Sequence, residues 1–116
     1  MIAVIFEVKP HEIHKQEYFD IAGELRPLLA KIDGFISIER FQSLSEPGKV
    51  LSLSFWRDED SIAEWRNLES HRLAQSKGRT KIFEDYRLRI ASVSRDYGLA
   101  QRDEAPVDSR LVHSDL

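Results

Sequence analysis

At 116 residues the chain has room for one compact domain and not for two of ordinary size. With 41% hydrophobic and 32% charged residues, it falls outside the compositions of disordered and membrane-spanning chains. Its 17 Lys and Arg are scattered among 20 Asp and Glu for a net charge of -3, and cysteine is absent, which argues against a nucleic-acid surface and excludes disulfides, thiolate nucleophiles and cysteine-ligated metals.

Ile2 to Lys9 is rich in β-branched and aromatic residues and stops at Pro10, the pattern of a first strand entering a turn. The opening Met1 to Phe6 is apolar, but Glu7 interrupts it and no basic leader precedes it. A bilayer span needs a far longer run, so the expectation is a buried strand in a cytoplasmic protein without membrane contact. From Ile13 the period changes. Tyr18, Ile21, Ala22, Leu25, Leu28, Leu29 and Ile32 recur at three- and four-residue intervals, which predicts a helix with one apolar face. Pro27 is expected to kink it and Asp33-Gly34 to end it.

Phe35 to Leu44 and Lys49 to Arg57 read as two strands of a hairpin, joined by Ser45-Glu46-Pro47-Gly48 with its Pro-Gly turn signal. Asp58 or Ser61 is placed to cap the next helix, and Ser61 with Glu64 has capping-box spacing. Ile62, Trp65 and Leu68 share the inward face of that helix. Glu69 to Phe83 is expected to continue as helix with a break near Gly78, and Tyr86 to Asp96 alternates as the last strand, closed by Gly98. The order βαββαβ predicts an α+β, ferredoxin-like antiparallel sheet with two helices on one face.

The strands carry apolar side chains on both parities, as in Ile2, Val4 and Phe6 against Ala3 and Ile5. A sheet face this apolar needs a cover, and a second copy is the simplest one, which predicts a homodimer with facing sheets. Residues 1–98 form the expected domain. Residues 99–116 form a polar tail, either disordered or an arm laid on the partner.

Little in the chain points to a cofactor. His11 and His14 sit three residues apart with no further ligand evident nearby, so no metal site is assigned. The five glycines are dispersed rather than gathered into a phosphate loop. Arg57 to Asp60 is a charged helix start in which acids complement the dipole.

The segment Phe55 to Arg66 joins a strand end to a capped helix and holds both tryptophans, so this corner is where a small-molecule pocket is expected. Phe6, Phe35 and Phe55 either line that cavity or pack in the core. Trp56 at the strand end reads as a packing residue. Trp65 is expected to be buried whether it serves the core or a pocket.

Asp33-Gly34-Phe35, Phe55-Trp56 before an acidic helix start, Trp65 and Ser70-His71-Arg72 together resemble the antibiotic biosynthesis monooxygenase family of small dimeric α+β barrel proteins. The likeness spans roughly Met1 to Gly98. It implies a pocket between the helices and the sheet, with Trp65, Asn67 and His71 as the matching residues. It also implies a menu of activities, of which the leading one is oxygenation of an aromatic, polyketide-like or quinol molecule without a cofactor. A base with a pKa near the operating pH suits that chemistry, and His71 is the expected one unless it is simply a surface residue of the helix. Arg79 and Arg87 are placed to stabilise the anion or to solvate the rim. Haem degradation is disfavoured, because the first strand has no Asn and His71 lies about one helical turn from the expected ligand position. The alternative reading is a dimeric ligand-binding module without turnover.

Overall fold

A computed structural model describes residues 1–74 and 82–113, with the side chains of 73, 74 and 111–113 left aside. In chain order the elements are β1 (Ile2–Pro10), α1 (Lys15–Leu29), β2 (Phe35–Gln42), β3 (Val50–Trp56), α2 (Glu59–Ala74), β4 (Phe83–Ser92) and α3 (Val107–His113). The four strands form one antiparallel sheet in the order β2-β3-β1-β4, the ferredoxin-like arrangement.

Register decides which side chains meet the helices. Val4 pairs with Ser54 and Ile90, and Phe6 with Ser52 and Leu88, so these residues share one face. On that face α1 and α2 build two cores. One joins Val4, Ile38 and Trp56 of the sheet to Leu29, Ile32, Ile62 and Trp65. The other joins Phe6, Val8 and Val50 to Tyr18, Ile21, Leu25 and Ile82. The opposite face carries Ala3 and Ile5 from β1, Leu51, Leu53 and Phe55 from β3, and Phe41 from β2.

Two boundaries differ from the sequence reading, and a third is decided between its two alternatives. Helix α1 ends at Leu29, before Asp33-Gly34, because Ala30 to Ile32 turn back through bonds such as Ile32 N to Leu29 O at 3.0 Å, which carry Ile32 into the core. Asp58, rather than Ser61, caps α2: its carboxylate accepts from the Ser61 N–H at 3.0 Å and the Ser61 hydroxyl at 2.8 Å. Those bonds, with the guanidinium of Arg57 beside it, pull the Asp58 carboxyl down to about 2. Finally, Phe83 belongs to β4, whose start is pinned when the His11 N–H donates to Ile82 O at 2.8 Å. In the tail, Ala105 is buried and α3 follows it.

Candidate active site

Helix α2 crosses the sheet so that Ile62, Trp65 and Glu69 follow one another at three- and four-residue steps and face inward together. It leaves the edge strand β4 uncovered. Tyr86, Leu88 and Ile90 point to the helix side of the sheet and are still 58%, 45% and 40% exposed. Between α2 and β4 lies a cleft of about 260 Å³. Its floor is Val4 and Phe6, and its far wall is Phe83, Tyr86, Leu88 and Ile90. Ile62 and Trp65 form the near wall, and Arg66, Glu69 and Ser70 supply its polar groups. Aromatic edges stiffen the floor, with Phe6 5.7 Å from Tyr86 and 5.9 Å from Phe83 between ring centroids.

Behind the cleft, toward α1 and β2, is a chamber of about 20 Å³, large enough for one water-sized molecule. It shares Phe6, Trp65, Glu69 and Phe83 with the cleft and adds Tyr18, Arg40 and Ser52. Two donors of its lining residues, Trp65 Nε1 and Arg40 Nε, are buried without a partner among the described residues. Burial pushes the Glu69 carboxyl up to about 7, and the Arg40 guanidinium draws it partly back. Burial likewise raises the Tyr18 phenol, again opposed by Arg40.

Of the residues picked from sequence, Trp65 and Phe6 line the cleft. Phe35 lies instead in the core beyond it, its ring centroid 5.2 Å from that of Trp56. Phe55 points to the opposite face, because it pairs with Ala3 and Ser37 across β3. Arg87 is opposite Glu7, also away from the cleft. Asn67 and His71 are exposed, and neither belongs to the lining of cleft or chamber, since α2 turns them off the Trp65–Glu69 stripe. Arg79 lies outside the described residues. His14 Nδ1 is 3.3 Å from Glu17 Oε2 at the start of α1, and among the described residues no three His, Asp or Glu side chains converge as metal ligands.

Sequence reasoning passed over Glu69, Arg40 and Tyr18. The signal was present: Glu69 stands four residues after Trp65 and seven after Ile62, a carboxylate in an apolar stripe. Arg40 shares strand parity with the buried Ile38.

Comparison with known proteins places this geometry in a family. A family model described as antibiotic biosynthesis monooxygenase matches residues 1–77. A protein of Pyricularia oryzae named jasmonate monooxygenase ABM is 53% identical over 94 residues, covering 81% of this chain and 44% of that protein. The chain therefore spans less than half the length of that relative. The uncharacterised YqjZ of Bacillus subtilis is 32% identical over 93 residues, covering 80% of this chain and 79% of its own. Among solved structures, a mutant of SnoaB, a cofactor-independent oxygenase from Streptomyces nogalater, superposes with a TM-score of 0.65 at 9% identity, covering 82% of this chain and 94% of that one.

Proposed function

The chain belongs to the antibiotic biosynthesis monooxygenase family, and from that membership we propose that it oxygenates a small, largely apolar molecule held between α2 and β4. The observation that carries this reading is the cleft itself. Apolar walls with a few convergent polar groups are the ordinary form of a small-molecule site, and the walls here are the indole of Trp65 and the uncovered Leu88 and Ile90. The substrate class that fits is an aromatic, polyketide-like or quinol molecule bearing one ionisable C–H or O–H.

Such a molecule needs no cofactor to react with oxygen, because it supplies the electrons. Triplet oxygen reacts sluggishly with closed-shell compounds, but readily with an electron-rich carbanion or phenolate. Loss of the proton gives that anion, addition of oxygen and return of a proton give a hydroperoxide, and loss of water leaves one oxygen atom on carbon. A methylene becomes a carbonyl, and the second oxygen atom leaves as water. An apolar molecule seated against these walls displaces bulk water from the reacting carbon and so protects the anion.

Oxygen uptake on a panel of anthrones, quinols and jasmonate tests the reading, with jasmonate included because a relative is named for it. Wild type is expected to consume oxygen with at least one of them. The Leu88→Trp variant, which fills the cleft from an exposed position, is expected to lose at least tenfold of that rate. Equal rates in the two proteins would refute the site.

The second copy expected from the sequence belongs to the same proposal. Leu51, Leu53 and Phe55 line up on the sheet face turned away from the helices, beside Ala3 and Ile5. We read this strip as the dimer surface. Light scattering is expected to give the mass of a dimer for wild type and of a monomer for Leu53→Lys, which places a charge in the strip. A monomeric wild type at micromolar concentration would contradict it.

A further inference from the structure

We propose that Glu69 is the proton acceptor of the cleft, taking an acidic C–H or O–H proton from a substrate whose apolar surface rests on Trp65, Leu88 and Ile90. The inference rests on the cleft being the substrate site. It deepens that reading by naming the residue that starts the reaction and by limiting the substrate to molecules with one ionisable group set in an apolar frame.

Position is the first argument. Glu69 is the carboxylate common to the cleft and the chamber, and its place in the Ile62–Trp65 stripe aims it at the sheet rather than at solvent. His71, two residues on, is exposed and lines neither space. The second argument is environment. Arg40 acts on the group from β2 and Tyr18 interacts with it from α1, while Tyr86 of β4 and Arg66, one turn back on α2, line the same cleft. Arg40 is the one that acts on it appreciably, and desolvation outweighs it, holding the carboxyl near 7. A base poised there is ionised often enough at neutral pH to accept a proton and basic enough to keep it.

The third argument is what lies behind the carboxyl. Once the proton has moved to Glu69 Oε, the electron pair stays on the substrate, and negative charge is exchanged for negative charge across one hydrogen bond. The net charge of the site is unchanged, so an apolar cleft tolerates the step. Trp65 Nε1–H and Arg40 Nε–H, on residues of the adjoining chamber and without a partner among the described residues, are donors suited to an oxygen atom that gains charge. Oxygen, the oxidant of the family's reaction, then takes the electrons to form a peroxide anion on the substrate, and Glu69 returns its proton to that anion to give the hydroperoxide.

The test uses 1,8-dihydroxyanthraquinone, a stable dye whose phenolate absorbs to the red of its phenol. Bound to wild type, the dye is expected to gain its phenolate spectrum as pH rises through about 7, because below that value Glu69 already holds a proton. Glu69→Gln keeps the size of the side chain and cannot accept. It is expected to bind within roughly threefold of wild type, to lose at least tenfold of the ionised fraction, and to slow oxygen uptake by about 10²–10⁴-fold. Glu69→Asp is expected to recover part of both signals. If Glu69→Gln ionises the dye as wild type does, the assignment is overturned while the cleft stands. If the dye fails to bind wild type, or binds equally to Leu88→Trp, the cleft reading fails and the assignment falls with it.

Discussion

Trp56→Ala is expected to remove about 3–5 kcal/mol of folding stability, the cost of deleting a large aromatic side chain from a packed core. Trp56 is 0% exposed, and its ring sits between Phe35 at 5.2 Å and Trp65 at 5.7 Å. Its Nε1–H donates to Ser54 Oγ at 2.8 Å, so truncation also deprives a buried hydroxyl of its partner. Both the transfer term and the cavity term therefore act at one site. For a chain of this size the midpoint of thermal unfolding should fall by roughly 15 °C. Leu44→Ala is the control, since Leu44 is fully exposed and its loss should fall within about 0.5 kcal/mol of wild type. Equal midpoints for Trp56→Ala and wild type would mean that the core is not centred on this indole.

Gly34→Ala is expected to cost about 2–4 kcal/mol, for two separable reasons. The backbone at Gly34 has φ of +94°, a left-handed conformation that an L side chain resists. In addition, a Cβ there would overlap Ser61 Oγ and come within 2.9 Å of Ser61 Cβ. Ser61 cannot simply rotate away, because its hydroxyl donates to the Asp58 cap. The substitution thus strains a turn and disturbs the start of α2 in one step. Gly34→Ala combined with Ser61→Ala should recover part of the loss by removing the hydroxyl, leaving the backbone strain. Urea unfolding of the single and double variants separates the two contributions. A double variant no more stable than Gly34→Ala would show that the overlap is not the cause.

The same corner explains why the fold was easy to read and the site was not. Strand and helix periodicities are local, and they marked β1, the β2–β3 hairpin and the inward turn of Trp65 without help from the rest of the chain. The end of α1 was missed because a glycine that looked like a helix stop is required five residues later, where Ser61 presses against it. Candidate site residues were harder still. The family resemblance implied His71 and Asn67 beside Trp65, yet a helix separates neighbours in sequence by about 100° each, and both are exposed on α2. Glu69 is one of 20 acidic residues and carries no motif of its own. What distinguishes it is the contact of α2 with β1 and the register that brings Arg40 and Ser52 to the same face, and neither is encoded in a local pattern.

The uncovered strip of β4 has the same origin. Tyr86, Leu88 and Ile90 alternate as any edge strand would, and only the placement of α2, which stops short of β4, turns them into the wall of a cleft. A charged or bulky residue at Leu88 would leave the sheet intact and close that wall, which is why the Leu88→Trp variant separates function from folding.

A crystal structure of the protein with whichever panel compound it oxygenates tests the cleft and the Glu69 assignment together. The molecule is expected between α2 and β4, flat against Trp65 and Leu88, with its ionisable atom within hydrogen-bond distance of the Glu69 carboxylate. Density for the molecule confined to another surface, with the cleft empty and Glu69 turned away, would contradict it.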